Sequence, residues 1–309
     1  MEALTKAVLP DRVRGLLEGQ LPDWIEPHWW STEGELLAKA PLAEIGWFDL
    51  HAKSSPLQAL HSARDLRWLN TDYTGVDWMP LDDLAQRGVV LTNGSGLTSI
   101  AVAEFAVMTM LAVAKDYRAV VRAQDRHEWL RTAPGTRELG GSRALVLGNG
   151  AIGKAVARML AGFDVSVDSV RSRDGDGWRE RVGYYDWVVL ALPGTPQTRG
   201  LFDADCIGAM NAGAVLINFA RADVVDQDAL IRALAERRIA GAVLDLTDPE
   251  PLPPDHPLWS LVNCHITMHL SGIPTPASTA RAAERFLSNC ARWKAGEALE
   301  SVVDLRRGY

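Results

Sequence analysis

The stretch LGNGAIG (147–153) sets glycines at 148, 150 and 153, directly after the apolar run RALVL and at the opening of AIGKAVARMLAGF. GxGxxG at a strand–turn–helix junction suits a dinucleotide. Gly148 permits the tight turn, Gly150 lets a pyrophosphate approach the backbone, and Gly153 lets the helix pack closely on the sheet. The helix N-terminus then favours the phosphate charge. Asp168, twenty residues after Gly148, lies in VDSVRSR (167–173), which offers two ways of holding the adenosine ribose. Asp168 could accept from the hydroxyls of NAD, or Arg171 and Arg173 could grip the extra phosphate of NADP. Val165, Val167 and Val170 mark a strand, which puts Asp168 inside it. Arg171, Ser172 and Arg173 fall at the carboxyl end, from which the ribose is reached. That placement favours the arginines.

The elements that must position this loop are visible around it. Short apolar segments at 143–148, 165–170, 186–193, 214–220, 239–246 and 263–269 alternate with amphipathic stretches such as 151–163 and 226–238. Near-continuous apolar strands separated by helices imply a parallel sheet covered on both faces. LAEIGWFDL, LRWLNTDYTGVD and GVVLTNGSG in the first hundred residues read as further strand-plus-loop units. Helical patterns at 98–115 and roughly 276–296 flank the regular block. The expected architecture is two Rossmann-like, doubly wound α/β domains with a cleft between them. Residues 1–97 with 276–309 form a discontinuous substrate-binding domain, and 98–275 the dinucleotide-binding domain.

Composition narrows the partners. A chain of 309 residues suits two domains, and a formal charge of −7 without a basic stripe argues against a nucleic-acid binder. Three widely spaced cysteines, Cys206, Cys264 and Cys290, fit reduced thiols better than a disulfide framework or a metal site. MEALTKAVLPDR lacks the apolar core of a signal peptide, and IAVAEFAVMTMLAVA, interrupted by Glu104, reads as a buried helix, not a membrane span. The expectation is a soluble cytoplasmic protein.

Several motifs in order carry a more specific message. LVLGNGAIG is followed by VVLALPGTPQTRGLF (188–202), VLINFARADVVDQDAL (215–230), AVLDLTDPEPLPPDHPLW (242–259) and NCHITMHLSG (263–272). TGVD (74–77) and AVAEFAVMTMLA (101–112) fit upstream, and the terminal GY fits the tail. Over residues 66–309 the chain resembles the D-isomer-specific 2-hydroxyacid dehydrogenases, especially the NADP-using glyoxylate/hydroxypyruvate reductase branch; the first 60 residues match poorly. Arg171 stands where NAD-using relatives carry an acid, so the resemblance implies NADP(H), with NAD(H) possible, and a homodimer formed mainly through the nucleotide-binding domain.

The resemblance also implies roles. Arg221 would bind the substrate carboxylate, His269 would exchange a proton with the carbonyl oxygen, and Glu250 would hydrogen-bond and orient His269. Asp248 is a decoy two residues before Glu250, and His256 reads as a structural histidine. Asp245 resembles the residue that meets the nicotinamide carboxamide. Thr74 and Gly75 resemble a loop whose N–H groups bind the substrate carboxylate. Further cofactor contacts are implied at Thr98, Asn149, Ala151, Ile152, Leu192, Pro193, Thr198, Phe219, Ala220 and Gly272. Trp47, with Phe48, falls where a substrate-facing loop would lie and could wall the pocket for a larger side chain. The tryptophans of PDWIEPHWW (22–30) read as buried at a domain face. Two residues depart from the family pattern: Met268 replaces the usual proline before the histidine, and Ala222 the usual glycine after Arg221. The expected reaction is reduction of a 2-keto acid by NADPH. A formate dehydrogenase is a rival, opposed by Glu250 where those enzymes carry glutamine. A nucleotide-sensing, corepressor-like binding protein on the same fold is a second.

Overall fold

A computed structural model describes residues 4–50, 52–171 and 174–308. Ser172, Arg173 and the terminal tyrosine of the GY pair lie outside the described residues. The chain divides into two compact units, one built from the described parts of Met1–Thr98 and Pro274–Tyr309, the other Ser99–Ile273.

The first unit holds a five-stranded parallel sheet made of β1 (Thr5–Pro10), β2 (Ile25–Trp30), β3 (Ile45–Trp47), β4 (Trp68–Asn70) and β5 (Val90–Thr92), in the order β2-β1-β3-β4-β5. Neither β1 nor β2 stands out in the sequence. β2 carries Pro27, which a central strand would not tolerate, but it pairs only with β1 and so lies at an edge. One face packs Trp47, Trp68 and Phe286, and the other Phe48, Leu60 and Leu69. Phe286 comes from the helix Pro276–Ala295, which starts with a Thr275/Ser278 capping box and stops at Gly296, whose φ of 70° ends the helix in the left-handed region. The tryptophans of 22–30 are drawn inward: Trp30 is buried and donates to the Trp47 carbonyl (3.1 Å), while Trp24 and Trp29 pack against the core.

The second unit holds a six-stranded parallel sheet: β6 (Arg143–Leu147), β7 (Ser166–Val170), β8 (Trp187–Leu190), β9 (Val215–Asn218), β10 (Gly241–Leu244) and β11 (Cys264–Ile266), ordered β11-β10-β9-β8-β6-β7. Strands β8, β9 and β10 are buried at every residue, as strands covered on both faces must be. Helices Ser99–Ala114 and Ala151–Ala161 cover one face through Val102, Met110, Val156 and Leu160. The other is filled by Ile207, Leu230, Leu234 and their neighbours. β7, at the edge, has no fully buried residue, which lets it carry Asp168. The sheet order reverses between β6 and β8, so the loop after β6 lies at the topological switch point, where open α/β sheets bind ligands. Among the described residues no helix is long and apolar enough to cross a membrane.

Candidate active site

The glycines of the β6 loop have three separate reasons to be glycine. Gly148 sits at φ 110°, and a Cβ there would stand 2.3 Å from the Ala191 carbonyl oxygen. A Cβ on Gly153 would stand 1.9 Å from the Gly148 carbonyl oxygen, so the helix can approach the turn only through glycine. Gly150 is the N-cap of the helix Ala151–Ala161, has an ordinary φ of −76°, and would bring its Cβ into open space. Nothing in the chain itself demands glycine at 150. The free surface above it, at a helix N-terminus with orphan N–H groups, fits a pyrophosphate lying against the backbone. Asn149, Ala151 and Ile152 belong to the same turn.

At the end of β7, Asp168 is mid-strand and accepts from the Tyr185 hydroxyl at 2.5 Å. Burial, then this bond, holds the Tyr185 phenol above its usual range. Arg171 follows the strand and is exposed, with its backbone N and its Nε both donating to Asp174 Oδ2 (2.8 and 3.1 Å). A cation therefore stands at the carboxyl end of the strand, already facing a carboxylate.

Because all six strands run parallel, the residues following β8, β9, β10 and β11 share one edge with the glycine loop. After β8, Leu192 and Pro193 lead into a turn in which Thr198 Oγ1 donates to the Pro193 carbonyl (2.7 Å). After β9, Phe219 and Ala220 are buried, which leaves their backbone as the part a ligand could meet. Arg221 lies across Gly194, where a Cβ would come within 2.8 Å of the Arg221 Cγ. Asn218 fixes the turn, accepting from Ala220 N and donating to the Arg221 carbonyl (3.0 and 2.9 Å). Ala222 enters a short 3-10 turn without positive φ, so the usual glycine is not needed there.

After β10, Asp245 is 2% exposed, and its carboxylate accepts from Thr267 Oγ1 and Ser271 Oγ, both at 2.5 Å. Its backbone carbonyl accepts from His269 N at 2.6 Å. Between those anchors Met268 and His269 take φ values of 54° and 56°. Two consecutive left-handed residues cost roughly 1–2 kcal/mol each. Hydrogen bonds to a charged group contribute roughly 1.5–3 kcal/mol each, so the two to the carboxylate are of the size needed to offset the strain. Proline could not adopt φ 54°, so this turn needs a residue other than proline at 268. His269 Nδ1 meets Glu250 Oε1 at 2.6 Å, with both side chains nearly half exposed. Glu250 stands on a loop held by Gln227, which pairs its side-chain amide with the backbone N and O of Asp248, and by Thr247, whose hydroxyl donates to the Pro249 carbonyl. His256 accepts from Leu258 N at a helix start, a structural contact. Gly272 follows Ser271 with open space at its Cα. Thr267, Ser271 and Gln227 escaped the sequence reading because their work is to hold neighbours through short polar contacts, for which no motif spacing stands.

In the first unit, Thr74 donates to the Gly94 carbonyl (3.2 Å), and Asn93 donates to the Thr74 carbonyl (2.9 Å), fixing the Thr74–Gly75 turn. Asp49 organises the approach to it, accepting from Asp72 N and Thr71 Oγ1 (both 2.6 Å) and from Trp47 Nε1 (3.0 Å). Burial and the nearby Asp72 charge push the Asp49 carboxyl up to about 6, while Arg12, 2.7 Å from Asp72, opposes the rise. Trp47 corrects the expectation of a pocket wall. It is fully buried in β3, 5.4 Å from the Phe286 ring, because it packs with Ile45 of the same strand into the core, and Phe48 is buried on the opposite face. Thr98 is the last residue of its unit, immediately before the helix Ser99–Ala114.

A glycine loop at the switch point, with a carboxylate-paired histidine and an arginine on the same sheet edge, defines an NAD(P)-dependent oxidoreductase of the Rossmann type. Comparisons with known proteins give the family. Residues 107–271 match the model "D-isomer specific 2-hydroxyacid dehydrogenase, NAD binding domain". The glyoxylate reductase/hydroxypyruvate reductase of Mus musculus is 33% identical over 221 residues, 67% of either chain. A D-isomer specific 2-hydroxyacid dehydrogenase family protein from Aeromonas salmonicida is 26% identical with a TM-score of 0.86, covering 98% of this chain and 100% of that one. A D-isomer specific 2-hydroxyacid dehydrogenase from Xanthobacter autotrophicus, solved with NADPH and MES, is 28% identical with a TM-score of 0.77, covering 99% and 100%. The chain belongs to the D-isomer specific 2-hydroxyacid dehydrogenase family, and thus to the enzymes that act on CH–OH groups with NAD(P).

Proposed function

We propose that this enzyme reduces a 2-keto acid to a D-2-hydroxy acid with NADPH, and that Ser99–Ile273 is its dinucleotide-binding unit. The observation that carries the reading is the 2.6 Å contact of His269 Nδ1 with Glu250, on the sheet edge that also bears the glycine loop and Arg221. When bound, the dinucleotide supplies a hydride to the keto carbon. Glu250 fixes the ring by accepting a hydrogen bond from Nδ1–H, so Nε2 is the nitrogen that hands a proton to the carbonyl oxygen. Glu250 stabilises the imidazolium that must be present before that transfer. Arg221 holds the substrate carboxylate with its planar fork; within the first unit, taken by itself, the Thr74–Gly75 turn offers backbone N–H groups suited to a carboxylate. Arg171 at the end of β7 supports NADPH over NADH, because Asp168 is inside the strand and occupied by Tyr185. Glyoxylate and hydroxypyruvate head the substrates, since reductases of that name align over 67% of the chain.

The test is a screen of 2-keto acids from glyoxylate to phenylpyruvate, following NADPH and NADH separately. No turnover with any acid favours a binding protein, and formate oxidation would favour the formate dehydrogenase reading. His269→Ala should cost far more kcat than NADPH affinity, since a proton donor acts in the transition state. We also propose a homodimer, supported by exposed Met108, Tyr117 and Trp129 on and after the helices Ser99–Ala114 and Tyr117–Asp125. A monomeric mass at micromolar concentration would refute it. The three cysteines are buried thiols, which supports a reducing, cytoplasmic setting.

A further inference from the structure

We infer that Asp245, Thr267 and Ser271 form a clamp that positions His269, an inference that rests on the proton-transfer role proposed for that histidine. Thr267 and Ser271 stand two residues before and two after His269, and each hydroxyl donates to a different oxygen of the same buried carboxylate. The Asp245 backbone carbonyl takes the His269 amide between them. One residue at the end of β10 thus ties both flanks and the apex of the loop that follows β11. The apex needs tying because Met268 and His269 are both left-handed and neither is glycine. Left untethered, L-residues in this region relax toward negative φ, which would swing the imidazole off Glu250. The two hydroxyls are spent on the Asp245 carboxylate and act on the reaction through His269, so they are positioning residues.

Thr267→Val and Ser271→Ala each remove one donor and leave the carboxylate in place. Each should lower kcat about tenfold, the loss of one hydrogen bond to a charged group, with NADPH Kd and keto-acid KM within about twofold of wild type. Thr267→Ser keeps the hydroxyl and should restore kcat. In a His269→Ala background Thr267→Val should cost nothing more, because the pair acts as one unit. Hydrogen exchange across residues 264–272 of the full-length enzyme should quicken in the double variant Thr267→Val, Ser271→Ala. The inference is overturned by a loss that appears in NADPH affinity, by an equal loss in the His269→Ala background, by failure of Thr267→Ser to restore kcat, or by unchanged exchange in the double variant. If His269→Ala itself turns over like wild type, the proposed role of the histidine fails, and the exchange measurement still decides whether the clamp exists.

Discussion

Cofactor choice at the end of β7 turns on a pair of opposite charges. Arg171 already engages Asp174 through Nε at 3.1 Å, so a 2′-phosphate must share or displace a carboxylate there. A hydrogen bond to a charged group is worth roughly 1.5–3 kcal/mol. At an exposed site, with one anion exchanged for another, the lower end applies. Arg171→Ala should therefore cut the NADPH-over-NADH ratio of kcat/KM about tenfold, or about 1.4 kcal/mol. Asp174→Asn leaves an oxygen for the Arg171 backbone N but removes the charge. A carboxylate about 6 Å from a dianionic phosphate in a water-like dielectric repels it by about 1 kcal/mol, so that variant should raise the ratio about fivefold. Both effects should shrink with salt, since the groups are screened. The assay is kcat/KM with each cofactor, on one keto acid, at low and high ionic strength. A wild type that prefers NADH, or a ratio that neither substitution moves, would refute the assignment of Arg171 to the phosphate.

The glycine loop separates binding from stability. Gly153→Ala should lose about 3 kcal/mol or more, because the new Cβ strikes the Gly148 carbonyl, whereas Gly150→Ala should change stability by under about 1 kcal/mol yet weaken NADPH; thermal melting and cofactor titration distinguish them, and equal melting temperatures would contradict the packing argument. Arg221→Ala should lower kcat/KM for the keto acid about a hundredfold, equivalent to about 2.7 kcal/mol, while NADPH Kd stays within about twofold; unchanged efficiency removes Arg221 from the site. Asp49 carries a carboxyl raised to about 6, so its stabilising contribution is full below the ordinary carboxylate range and is lost as pH rises through about 6. Asp49→Asn, free of that titration, should gain melting temperature relative to wild type between pH 4 and pH 7, and a pH-independent difference would show that the buried charge is not the cause.

Much of the second unit was legible because its central strands are near-continuous apolar runs and several of its helices are amphipathic. The helical pattern at 98–115 is the helix Ser99–Ala114, and the six apolar segments contain β6 to β11, each strand shorter than its segment by one to four residues. The glycine spacing, Arg221, Glu250 and His269 could be read from motifs in order. β1 and β2 were not, since one ends in Pro10 and the other contains Pro27, and a parallel partner far along the chain leaves no local trace. Trp47 was misplaced because a tryptophan beside a loop looks alike in sequence whether it faces a ligand or a core helix; the approach of Phe286, 239 residues away, decides it. The Asp245 clamp was equally hidden, since its meaning depends on backbone angles at Met268 and His269.

Those angles bear on any attempt to stabilise this enzyme by moving it toward the average of its relatives. Replacing unusual residues with common ones is a productive general strategy, and Met268 is an obvious target, standing where proline is usual. Proline fixes φ near −65°, about 120° from the value of 54° found here. The turn would have to refold around it, and the His269 amide would leave the Asp245 carbonyl. A residue that looks like drift in an alignment is the one that lets this chain shape its own loop, and the consensus letter at 268 would be a lesion.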